Sequence, residues 1–97
     1  FQPGQGETAF GVYWGPVTQG GAVTVQGVMA ELDARGVTGA GSGEISCDLG
    51  AAEALGVAAE TIVVSVSFRT SAEAEQFAAA WGGELLGVAE LVGYCRD

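Results

Sequence analysis

Between Thr61 and Gly83 the chain spells out a strand, a helix start, a helix and a stop in unbroken succession. In Thr61-Ile-Val-Val-Ser-Val-Ser-Phe-Arg69, the side chains of Ile62, Val64, Val66 and Phe68 fall on one side of an extended backbone. Val63, Ser65, Ser67 and Arg69 fall on the other. Thr70 and Glu73 follow at capping-box spacing, so the threonine hydroxyl can accept an orphan amide at a helix start while the carboxylate reaches back. Ala74, Phe77, Ala78 and Trp81 then stand at i, i+3, i+4 and i+7, an apolar stripe that leaves Glu73, Glu75 and Gln76 outside. Gly82-Gly83 closes the helix, since glycine adopts a left-handed cap without strain.

The rest of the chain is read around that pair. From Thr8 to Gly15, Phe10, Val12 and Trp14 alternate with Ala9, Gly11 and Tyr13, a first strand that Gly15-Pro16 stops. Val17 to Gly21 is a connector. Ala22, Val25, Val28, Met29 and Leu32 recur at helical spacing up to Gly36, most regularly from Val25 onward. Gly39 to Gly43 reads as a flexible link into a short strand, Glu44 to Cys47, after which Asp48 caps a helical turn through Leu49, Ala52 and Leu55. A last strand runs from Leu85 to Cys95, with a bulge expected near Ala89 and Glu90, where the alternation breaks. Residues 1–7 read as a disordered lead and 8–97 as one α+β domain.

Strand, helix, strand, turn, strand, helix, strand is the split βαβ order of a ferredoxin-like βαββαβ two-layer sandwich. That fold has a four-stranded antiparallel sheet with both helices on one face. Its first and third strands are central and its second and fourth lie at the edges.

Charge narrows the function classes. Twelve acids against three basic residues, with no histidine, give the 97 residues a formal charge of -9. Such a surface repels nucleic-acid backbones and anionic lipid, so no nucleic-acid partner is expected. No apolar run reaches bilayer length, and no membrane insertion is expected. All three basic residues are arginines, so lysine and histidine, the common Schiff-base former, general base and imidazole ligand, are both missing. Asp48 and Glu53 lack the alternating spacing of a calcium loop. The Gly39 to Gly43 run leaves a helix instead of entering one, the wrong order for a phosphate cradle. Neither a cofactor, a metal nor a catalytic residue is expected.

Two cysteines, Cys47 and Cys95, make a disulfide plausible if the chain is exported, the preferred setting, whereas cytoplasmic thiols would stay reduced. In the regular sandwich the two sit on opposite edges, about three spacings of ~4.8 Å apart, beyond the ~7 Å limit on Cα separation for a bond. Either one segment leaves its strand and crosses the end of the sheet, or the thiols are free.

With the helices covering Ile62, Val64, Val66 and Phe68, the far face would carry Ala9, Gly11 and Tyr13 beside Val63, Ser65, Ser67 and Arg69. These are mostly small, weakly polar side chains where a solvated face usually has long charged ones. Gly11, Tyr13, Val63, Ser65, Ser67 and Arg69 are therefore candidate interface residues for a second copy of the chain, giving a homodimer, or for another protein or peptide.

The element order is similar to that of amino-acid-sensing ACT domains, peptidoglycan-binding SPOR domains and dimeric α+β barrel proteins. Gly15-Pro16-Val17 resembles the Pro-Gly turn of ACT domains but lacks the acidic residue before it, so no functional residue is carried over. The first expectation is a non-catalytic, extracytoplasmic binding or assembly module acting through the open sheet face or an edge strand. The ACT resemblance implies an amino-acid sensor with its ligand near the turn after the first strand or at a dimer interface. The barrel resemblance implies a cofactor-free enzyme resting on Tyr13, Arg69 and scattered acids.

Overall fold

The computed structural model describes residues 3–17 and 23–94. In chain order the elements are β1 (Thr8–Trp14), α1 (Val25–Ala34), β2 (Gly41–Glu44), a 3-10 turn (Ile45–Cys47) and β3 (Asp48–Leu49). After them come α2 (Ala51–Leu55), β4 (Ile62–Phe68), α3 (Ser71–Trp81) and β5 (Gly87–Gly93). The strands form one antiparallel sheet in the order β2-β4-β1-β5-β3, strongly curled into a half-barrel.

This corrects the four-stranded ferredoxin-like sandwich. The run β2-β4-β1-β5 has the expected neighbours, but a fifth strand lies outside β5, and a third helix covers the face expected to be bare. The cause lies in residues 41–49. Gly41–Gly43, expected to belong to a loose link, and Glu44, expected to open a strand running to Cys47, pair with Ile62–Ser65 of β4, with Gly41 opposite Ser65 and Glu44 opposite Ile62. The chain then makes its 3-10 turn and pairs again at the other margin, with Asp48 opposite Gly93 and Leu49 opposite Val92. Asp48 is thus a strand residue, and the residue capping α2 is Gly50.

The stretch from Thr61 to Gly83 forms as its sequence dictates. Thr70 Oγ1 accepts from the Glu73 amide at 3.2 Å, and its hydroxyl hydrogen bonds the Glu73 carboxylate at 3.2 Å. Gly82 takes the left-handed conformation (φ 74°) that ends α3. Thr24 caps α1 in the same manner, accepting from the Gly27 amide at 3.0 Å. Ala22, expected in this helix, lies outside the described residues.

Two cores result, one on each face. Against α1 and α3, β1 and β4 contribute Val12, Trp14, Val64 and Val66, closed by Val28, Leu32, Ala74 and Trp81. Trp14 meets Trp81 edge to face at 5.0 Å between ring centres, a favoured arrangement of aromatic quadrupoles. Arg35 joins the ends of the two helices. Its guanidinium stands 4.1 Å over the Trp81 ring and donates to the Trp81 carbonyl at 3.2 Å, while it pairs with Glu31 one turn back.

The second core uses the opposite phase of the same strands: Ala9, Tyr13, Val63, Ala89 and Leu91, together with Ile45 and the α2 residues Ala51 and Ala52. The expected bulge at Ala89 and Glu90 does not form, because β1 and β5 stay in one register from Thr8–Val92 to Tyr13–Gly87. The phase changes at Gly87 instead, whose φ of 152° lets Leu86 pack into the second core while Val88 joins the first. From Pro3 on, the expected disordered lead is a turn tied to the sheet, the Gly6 amide donating to Gly93 O and the Gly93 amide to Glu7 O.

Candidate functional site

Tyr13 and Asp48 connect the middle of the sheet to its margin. The Tyr13 hydroxyl donates to Asp48 Oδ2 at 2.8 Å, with Tyr13 fully buried and Asp48 only 6% exposed. Their strands are separated by β5, two spacings of ~4.8 Å. The bond therefore requires the sheet to bend towards Tyr13, which identifies this face as the concave one. Curvature explains the small side chains: an inward-curling wall crowds its inner residues, and Ala9, Gly11 and Ala89 leave room for the ring. A Cβ on Gly11 would lie 2.7 Å from Tyr13 Cε2, so the phenol rests directly on that glycine.

The residues expected to form an open interface are redistributed accordingly. Gly11, Tyr13, Val63 and Ser67 are buried, Ser65 is half-buried and Arg69 is exposed at the end of β4. Among the described residues, α2 and Ile45 pack over this face on Ala9, Tyr13 and Val63. Small, weakly polar residues signal close packing, and here the packing is internal.

What stays open is a cleft of about 240 Å3 alongside β2. Its rim is Gly41, Ser42 and Glu44, its floor Val63 and Ser65, and its far wall Asp48 and Tyr94. All four residues of β2 are exposed, and β2 ends the hydrogen-bonded order of the sheet. Tyr94, 51% exposed, is held at the wall by its amide, which donates to Cys47 O at 2.8 Å. No family model, curated protein or solved structure matches this chain. The site therefore has to be read from its own chemistry.

Glu44 and Asp48 are the charged groups at this cleft among the described residues. Nowhere among those residues do three or more His, Cys, Asp or Glu side chains gather as a metal would require. Two wider grooves, each of about 360 Å3, offer less to hold a ligand. One lies beside Trp14 and Trp81, where the Trp14 indole nitrogen has no hydrogen-bond partner among the described residues but is itself shielded from solvent. The other runs past Phe68 and Phe77 at the start of α3.

No described cysteine carries a free thiol, and Cys47 is the one described. Cys95 lies outside the described residues. Residues 45–49 cross to the β5 margin, where the Tyr94 amide donates to Cys47 O at 2.8 Å. Neither β2 nor Tyr94 stood out in the sequence. A strand reading Gly-Ser-Gly-Glu lacks every β-favouring residue, and its one signal is the absence of bulk next to a long, regular strand.

Proposed function

We propose that this chain is a non-catalytic binding module that accepts an extended peptide along the free edge of β2. The observation that carries the reading is the exposed β2 margin, which pairs with no further strand among the described residues and stands over a cleft into the concave side of the sheet. An unpaired strand edge offers a row of amides and carbonyls to an incoming strand, and alternate side chains of that strand turn into the adjoining cleft. Glycine at positions 41 and 43 keeps the approach free of side chains, and an added Cβ at either would meet nothing within 4 Å.

An extracytoplasmic setting and a Cys47–Cys95 bond belong to the same proposal. They are supported by the missing free thiol at Cys47 and by the position of Tyr94. Among the described residues no helix is long and apolar enough to cross a membrane.

The test is a titration of isotope-labelled protein with a short, uncharged Thr/Val/Ser peptide, followed by amide chemical shifts. Perturbations concentrated at Gly41–Glu44 and Tyr94 are expected. Shifts confined to the α1 or α3 surfaces, or none at all, would remove the reading.

A further inference from the structure

We infer that the peptide accepted at β2 is held through its main chain by two residues, Ser42 and Glu44. Its partner class is then an extended segment free of proline at two alternate positions, with no requirement for particular side chains. This rests on the edge-binding reading above and follows from where each residue of β2 presents its amide and carbonyl. In an antiparallel sheet both groups of one residue point to the same neighbour, and the next residue points to the other.

Hydrogen bonds at the strand ends fix that phase from one margin to the other. The Gly93 amide donates to Glu7 O at 2.9 Å and the Leu86 amide to Tyr13 O at 2.8 Å, so odd-numbered residues of β1 face β5 and even-numbered ones face β4. Val12 and Trp14 stand opposite Val66 and Val64, which turns the even-numbered residues of β4 towards β1. The Val17 amide agrees, donating to Ile62 O at 2.9 Å. Odd-numbered residues of β4 are left for β2, as the Ile45 amide confirms by donating to Thr61 O at 2.9 Å.

Val63 and Ser65 pair with Gly43 and Gly41. Both glycines therefore face β4, and the amides and carbonyls of Ser42 and Glu44 point away from the sheet. No group among the described residues takes them up, and both residues are exposed. A visiting strand meets no side chain of β2 opposite Gly41 and Gly43, so the size of its residues there goes unread. A second copy of the chain is the poorer occupant, because two molecules at -9 repel.

The experiment titrates the wild-type chain with the Thr/Val/Ser peptide N-methylated at one residue at a time, reading affinity and the amide shifts of Gly41–Glu44. N-methylation removes a donor as proline does. Affinity should fall with a period of two residues, by at least about threefold at each sensitive position, as for one lost hydrogen bond. On the protein side, Ser42→Pro removes an outward amide and leaves β4 its glycine donors. It should weaken the unmodified peptide by a similar factor, whereas Ser42→Ala, which keeps the amide, should bind as wild type does.

A scan without alternation, or full affinity in a folded Ser42→Pro, would overturn the register and leave the edge reading standing while the unmodified peptide still shifts β2. If Ser42→Pro does not fold, the scan against the wild-type chain decides alone. An unmodified peptide that leaves the β2 amides unmoved would overturn both readings. So would β2 shifts that grow with protein concentration alone, the mark of a second copy.

Discussion

At the residue scale the Tyr13–Asp48 hydrogen bond fixes the curvature on which the cleft depends. Tyr13→Phe removes a buried hydrogen bond to a carboxylate, so a loss of about 1–3 kcal/mol is expected in urea unfolding. Gly11→Ala forces the ring off its seat and should cost a similar amount, about 1–3 kcal/mol, as overpacking does. Because both changes break the same contact, the double variant should be less destabilised than the sum of the singles. Additive losses would show that the ring and the hydrogen bond act separately. The alternation of β1 assigned Tyr13 and Trp14 to opposite faces from sequence alone. It could not say which faces are covered, because Ala9, Gly11 and Ser67 suit a bare surface and a tightly curved interior equally well.

At the element scale, legibility follows local consistency. β4 and α3 come out close to their expected bounds because alternation, cap, stripe and stop agree within 23 residues, Thr61 to Gly83. Thr70→Ala should therefore cost about 1 kcal/mol, read as a lower thermal midpoint, with Thr70→Ser close to wild type. β2 has no such local support. Four residues of Gly-Ser-Gly-Glu become a strand because β4 offers an edge to pair with, a long-range effect that no window of sequence contains. The phase change in β5 is intermediate. Gly87 was visible as a glycine, but its consequence depends on Leu55, whose Cδ2 would lie 2.6 Å from an added Cβ. Gly87→Ala should be more destabilising than Thr70→Ala by chemical denaturation. Pairing it with Leu55→Ala should not restore stability, because the backbone conformation remains unfavourable for a side chain.

For the whole molecule, one sheet shared by two cores replaces the layered sandwich that the order of elements suggested. The order is compatible with either arrangement. What separates them is the path of residues 41–49, and that path is set by burial of Ile45 and Asp48 rather than by any turn signal. The proposed Cys47–Cys95 bond would close the chain across that path. Thiol titration in denaturant should then find no reactive cysteine before reduction and two after. Reduction should lower stability by about 2–4 kcal/mol. Two titratable thiols in the untreated protein would dismiss the bond.

β2 and β3 run in the same sense as β1, and only Ile45–Cys47 lies between them. They behave as one short rope made fast at both gunwales of the sheet. A ribbon moored to the first length would then tighten the second, and the expected consequence is a firmer hold at Asp48 and the phenol beneath it. Slower deuterium uptake at Leu49, on the opposite margin of the sheet from β2, would be the sign of that tension.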